Sequence, residues 1–243
     1  VGCVLDLIRM AQVEPVRKRL DAETQRLLGN TITLTDDQWR APSLLPGWTR
    51  AHVATHIARN ADAFARVTRN AEAGIAAPFY ESYDAKVREL ETGALRGGME
   101  LQVDLDTSAG GLVEAFDIVT DWHREIEFPW GPAPLSMLTV ARLHEVYSHH
   151  VDLDCGFVPA DFDPVPARWL MQWALLRLPA ATGRPLVSIA SDSGLTAELG
   201  RAGEGEEPRQ VTGPDSALWA WVTGRSSGDH IAGAEGITWP LMG

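Results

Sequence analysis

Two cysteines, Cys3 and Cys155, are all that this chain of 243 residues contains. They form no metal-type spacing, and two are too few for a disulfide framework. Neither stands beside a recognisable activating base, so neither reads as a nucleophile. A reducing, cytoplasmic setting is the expectation. Basic residues are also short: 21 Lys and Arg against 33 Asp and Glu leave a formal charge of -12. That balance argues against nucleic acid or an anionic membrane as a main partner, since either calls for a basic patch. No apolar run reaches the roughly 18–20 residues of a membrane span. The acid-containing start, Val1 to Ile8, does not read as a signal peptide. The chain has no P-loop, no Gly-x-Gly-x-x-Gly and no Gly-x-Ser-x-Gly elbow, and it shows no internal repeat or low-complexity segment.

What is present is globular: 45% hydrophobic and 22% charged residues, with nine Trp that suit packing. Residues 14 to 29 read as a helix, with Pro15 in its first turn and Gly29 at its end. A short capped turn at 34–39 and a loop at Ser43 to Gly47 follow. Thr49 suits the N-cap of a long helix to about Ala73. An irregular connection at 74–84 carries Phe79, Tyr80 and Tyr83, which are candidates to line a pocket. Helical patterning returns from 84 to 105, with a break expected near Gly93, Gly97 and Gly98. A helix is expected at 108–126, a rigid loop at 128–134, and another helix at 135–152. The Pro-rich stretch 157–166 reads as a linker. Beyond it come a helix at 167–178, strands at 185–190 and 195–199 around a Ser-Asp-Ser-Gly turn, and a Gly/Glu-rich loop at 200–208. A strand at 209–212, a helix at 214–223 and a loop-rich tail close the chain. The expected architecture is therefore a helical domain over 1–156 and a small α+β domain over 167–243.

Two of these helices carry metal-type ligands. On the 135–152 helix Glu145 and His149 stand four residues apart, with Asp152 three further on, so all three share one stripe. The earlier helix repeats the spacing with His52 and His56. At 100° per residue, Val53, Ile57, Phe64 and Val67 lie within about 40° of their mean direction. His56 sits on the margin of that apolar face and His52 about 40° further out, which favours His56 as the inward residue. On the later helix His150 lies nearer the apolar centre than His149, and His144 on the far side, so angle alone leaves His150 open. Imidazole and carboxylate groups from different helices, with a position left over, describe a catalytic zinc-type centre. The same set accepts Fe, Co, Ni or Mn. The competing reading is that these are ordinary polar residues on helices; His123 and Glu127 show the same spacing with no evident partner. Elsewhere, Ser191 to Gly194 reads as a turn rather than a nucleophile. Arg225, between Gly224 and Ser226, suits an anionic ligand or simply the surface.

The stretches Ser43-Leu-Leu-Pro-Gly-Trp-Thr-Arg-Ala-His-Val-Ala-Thr-His56, Glu145-Val-Tyr-Ser-His149 and Thr223-Gly-Arg-Ser-Ser-Gly228 together resemble the mycothiol-dependent maleylpyruvate isomerase family, over nearly the whole chain. The resemblance implies a DinB-like four-helix bundle followed by a small α+β, sterol-carrier-like domain. The family's ligand pattern falls on His56, Glu145 and His149, and its catalytic arginine on Arg225; His150 lies beside the motif and is not carried over. The implied cofactors are a divalent metal, zinc first, and mycothiol. The implied partners are mycothiol and a small-molecule substrate. Residues that bind the thiol cofactor and the oligomeric state are left open. The implied chemistry is activation of the thiol as a metal-bound thiolate. The thiolate adds to the cis double bond of maleylpyruvate, the bond rotates, and elimination gives fumarylpyruvate, with a cationic residue such as Arg225 steadying a carboxylate or the enolate. The same thiolate serves the mycothiol S-transferases of the broader family, in detoxification or natural-product assembly. A regulatory, non-catalytic metal-binding bundle is the third expectation.

Overall fold

Apolar residues at helical spacing, closed by side-chain caps, build the first part of the molecule. The computed structural model describes residues 13–178, 185–200 and 207–242. Cys3 with the start of the chain, and residues 201–206 of the expected Gly/Glu-rich loop, lie outside them. The described residues divide into two compact units, 13–157 and 158 onward.

In the first unit α1 (Val13–Thr31) buries Val16, Leu20 and Leu27. The short α2 (Asp36–Arg40) starts at Thr35, whose hydroxyl and backbone exchange hydrogen bonds with Gln38. Such a capping box satisfies two amide groups that the helix itself leaves open. Thr49 caps α3 (Arg50–Glu72) in the same way, with His52 in the role of the third residue. After α4 (Tyr83–Gly93) the chain breaks at residues 94–97, where the glycines led us to expect it, and resumes in α5 (Gly98–Asp117). The helix α6 (Met137–Asp152) completes a four-helix bundle with α1, α3 and α5: α3 packs on α5 and α6, and α1 on α6 and α5. Every residue of α6 except Glu145 is buried.

Several expectations fail between residues 105 and 134: α5 runs unbroken through 106–107, where one helix was expected to end and another to begin, and the expected rigid loop at 128–134 contains a strand. The helix predicted over 108–126 ends at Asp117, and a two-stranded hairpin follows, β1 (Glu125–Phe128) paired antiparallel with β2 (Gly131–Pro134). Leu112, Ala115 and Phe116 are buried as their spacing requires, but Trp122 turns back onto Phe116 with ring centroids 5.4 Å apart. The cause is local. Ile118, Val119 and Thr120 are β-branched and lose side-chain freedom in a helix. The Asp121 carboxylate then accepts from the His123 amide at 2.9 Å, a turn that competes with helical bonding.

In the second unit the stretch expected as a linker carries a 3₁₀ turn at Pro159–Asp161 and a buried Phe162 against Trp219, centroids 5.1 Å apart. The next helix begins earlier than predicted: α7 spans Pro164–Arg177, because a proline is tolerated in a helix's first turn. The predicted strands are present as β3 (Val187–Ser191), β4 (Thr196–Leu199) and β5 (Arg209–Gly213). β3 is central, antiparallel to β4 and parallel to β5. The helix α8 (Asp215–Val222) packs on α7 and brings the buried Trp219 and Trp221 into this core. The tail contributes an isolated bridge, Thr212 to Ala232, and no named strand among the described residues. The architecture is thus the expected helical bundle followed by a small α+β part. No described helix is long and apolar enough to cross a membrane.

Candidate metal centre

The loop before α3 and the end of α6 are tied together. The Leu44 amide donates to the Asp152 carbonyl at 2.9 Å, and the Arg50 guanidinium donates to the Leu153 carbonyl at 2.6 Å and to Asp154. This clamp fixes the register of the two helices, so that residues one and a half turns into α3 face the last two turns of α6. His56, Glu145 and His149 meet there. One ligand atom from each lies within 4.8 Å of the others. His56 Nε2 is 3.1 Å and His149 Nε2 3.5 Å from Glu145 Oε2. In a tetrahedral zinc site with bonds of about 2.0–2.1 Å, neighbouring ligand atoms stand about 3.3 Å apart. The two distances bracket that edge, so the donor set and its spacing fit a divalent metal.

The surroundings support the same use. Asp152, fully buried, holds His149 Nδ1 at 2.9 Å. That contact commits the other ring nitrogen, Nε2, to the cluster, as a carboxylate behind a metal-bound imidazole does. The Trp48 ring stands 5.6 Å from the His56 ring and walls one side. Glu145 keeps 25% of its side chain exposed against 6% for His149, so the opening of the cluster lies on the Glu145 side.

The protonation tendencies are set by burial and by these partners. Burial favours neutral imidazoles and lowers His56 below the ordinary histidine range, against the pull of Glu145. Burial alone would also lower His149, but its hydrogen bonds to Asp152 and Glu145 outweigh it and hold the ring above that range. For Glu145 burial acts upward, yet hydrogen bonds from His149 and His56 keep it well below the usual carboxylate range. The carboxylate is therefore ionised and ready to ligate, while at His149 a metal competes with a proton that the ring holds more tightly than an ordinary histidine does.

The other histidines have different employment. His52 is taken up by the Thr49 cap, with Nδ1 2.7 Å from the threonine hydroxyl and Nε2 3.5 Å from Glu91. His150 points away from the cluster towards α1. There its Nδ1 meets Glu23 at 2.6 Å, its Nε2 meets Asn30 at 3.0 Å, and its ring stacks on Phe157. His144 is buried beside Ser148. Arg225 follows α8 in the second unit, where its guanidinium donates to the Met242 carbonyl at 3.0 Å and lies over the Trp219 ring. The irregular connection contributes Tyr80, whereas Phe79 packs between Phe64 and Phe128 and Tyr83 is exposed. Reasoning from spacing passed over Asn60 and Arg142. Both sit one turn from a ligand on the same helix, and a polar residue inside an apolar face was the signal for Asn60. Arg142 is buried and donates to Asn60 Oδ1 at 2.7 Å and to the Ile57 carbonyl at 2.8 Å.

Residues 20–154 match the model of the mycothiol maleylpyruvate isomerase N-terminal domain. The chain belongs to this family. The matched segment contains the whole cluster and its clamp, while Arg225 lies beyond it. The fold is shared over both units with the crystal structure of the mycothiol-dependent maleylpyruvate isomerase, at 23% identity and a TM-score of 0.81, covering 95% of this chain and 97% of that one. A mutant of that isomerase superposes equally well, at 22% identity and a TM-score of 0.79, with the same coverage. Comparison with curated proteins gave no match.

Proposed function

We propose that the chain is a metal-dependent enzyme that activates the thiol of mycothiol for attack on an electrophilic small molecule, with isomerisation of maleylpyruvate to fumarylpyruvate as its reaction. The observation that carries this reading is the convergence of His56, Glu145 and His149 in a family member, at a spacing that suits a metal and with one side left open. A divalent metal held by these three residues would lower the pKa of the mycothiol thiol and so favour its nucleophilic thiolate. The chain's own residues do the rest. His56 and His149 present Nε2, and Asp152 holds the His149 ring and its Nδ1 proton. Glu145 adds a negative charge to the ligand set and remains ionised. Trp48 packs beside His56, and the residues of α6 around Glu145 are buried, which limits access of water to the cluster. Arg225 is proposed to hold a substrate carboxylate or steady the developing enolate.

The test is turnover. Zinc-loaded protein with mycothiol should convert maleylpyruvate to fumarylpyruvate, followed by proton NMR. Arg225→Ala should lower kcat/KM by about 100-fold or more, the scale of removing one electrostatic stabiliser, with metal content unchanged. Unaltered turnover in that variant would remove the arginine from the account. Absence of isomerisation alongside conjugation of a test electrophile would instead make the protein a mycothiol S-transferase.

A further inference from the structure

Tyr80 and Lys86 take no part in the metal cluster. With Arg59, Asp62, Arg66 and Glu89 they line an open pocket of about 240 Å³. The Tyr80 hydroxyl lies near the Asn60 side chain. The Asn60 carbonyl oxygen accepts from Arg142 at 2.7 Å. Asn60 lies one turn beyond His56 on α3, and Arg142 one turn before Glu145 on α6. Residues at those spacings are neighbours on a helix face. Arg59, which lines the pocket, also lies one turn beyond His56 on α3, so the pocket adjoins the ligand-bearing part of that helix. Electrostatics report the same proximity. Burial first, and then the Glu145 charge, push the Tyr80 hydroxyl up to about 12, and the Lys86 charge is among the groups that lower His56.

The charges of this pocket are unequally engaged. Arg59 is held by Asp62 at 2.9 Å and by Asp104 at 2.6 Å. Arg66 donates to the Phe79 carbonyl at 2.5 Å. Lys86 makes no ion pair among the described residues; its ammonium rests 4.8 Å from the centre of the Tyr80 ring. Glu81 and Glu89 are exposed. What faces a ligand is thus an ammonium with donors to spare and a phenol that stays protonated at neutral pH. The phenol O–H can donate to that ligand.

We propose that Lys86 and Tyr80 form a carboxylate subsite beside the metal centre, which takes one carboxylate of an anionic electrophile and selects for it over neutral electrophiles. This rests on the thiol-activating reading of the cluster and names the substrate class that the cluster serves. Lys86 supplies a charge-assisted hydrogen bond and Tyr80 a neutral one, and together they fix the orientation of the carboxylate.

The experiment is calorimetric binding of maleate, a small dicarboxylate, to metal-free protein without mycothiol. Wild type should bind it. Lys86→Met should weaken binding by about tenfold or more, and Tyr80→Phe by several-fold, on the scale of a charged and a neutral hydrogen bond. Both variants should keep the wild-type circular dichroism spectrum and zinc stoichiometry. Wild-type maleate affinity in both variants, or no maleate binding by the wild type, overturns the subsite. Because neither metal nor thiol is present, the outcome is independent of whether the cluster activates mycothiol.

Discussion

His149→Ala is expected to lose zinc: affinity, measured by competition with a chromogenic chelator, should fall by more than about 100-fold. Removing a group that merely orients a ligand costs 10–100-fold, and His149 is itself a proposed ligand, one of three. The substitution also leaves Asp152, buried behind it, without the ring it holds. The wild-type protein should show a pH dependence of defined sign. Its partners hold the His149 ring above the ordinary histidine range. Below that raised pKa the metal competes with a bound proton, and affinity falls as pH is lowered. Above it the ring is neutral and affinity levels off. Glu145 is held far lower and stays ionised across the same window. His150→Ala offers the contrast, since its ring faces Glu23 and Asn30 on α1 and its loss should leave zinc stoichiometry unchanged. Wild-type zinc affinity in His149→Ala would rule out the proposed site.

Arg142→Met should destabilise the bundle by about 3 kcal/mol, read as a shift in the urea unfolding midpoint at constant slope. Arg142 is fully buried within α6 and is pushed down to about 10 by that burial, partly offset by Glu145, Tyr80 and Asp62. It is therefore charged at neutral pH. Methionine fills much of the same space but donates nothing. The Ile57 carbonyl and Asn60 Oδ1 would then lose their buried donor. Hydrogen bonds to a charged group contribute about 1.5–3 kcal/mol each; the Ile57 carbonyl keeps its helical bond within α3, and relief of burying the guanidinium offsets part of the loss, which argues for less than the sum. Arg142→Lys, which keeps one donor, should recover part of the loss. A change under about 1 kcal/mol would show that the contact is not holding α3 to α6.

These two helices were largely legible in the sequence, and the reason is that their signals are local. Thr49 as a cap and the 100° periodicity fix the start and the inward face of α3, which put His56 ahead of His52. The structure adds that His52 is occupied with the Thr49 cap. On α6 the same arithmetic was less decisive, because a helix buried on all sides but Glu145 has no polar face against which to measure an angle. The use of His150 was hidden for another reason: Glu23 lies 127 residues away on α1, and no local pattern announces such a partner. Residues 118–134 were misread because two four-residue strands are too short for a periodic signal and the turn at Asp121 is made by a single side chain. The Ser191–Gly194 turn, by contrast, announced the β3–β4 hairpin through its residue types alone. Tyr80 was visible only as an aromatic residue in an irregular stretch, and its place beside Lys86 in a pocket against α3 required the fold.

The central claim is that the cluster on α3 and α6 holds a metal to which a thiol binds directly. Cobalt(II) loaded into metal-free protein and titrated with mycothiol tests it, because a thiolate bound to cobalt adds a near-ultraviolet charge-transfer absorption that nitrogen and oxygen ligands do not. The account predicts that this band appears, saturates at one thiol per cobalt, and is absent from His149→Ala. A cobalt spectrum that saturating mycothiol leaves unchanged would contradict it.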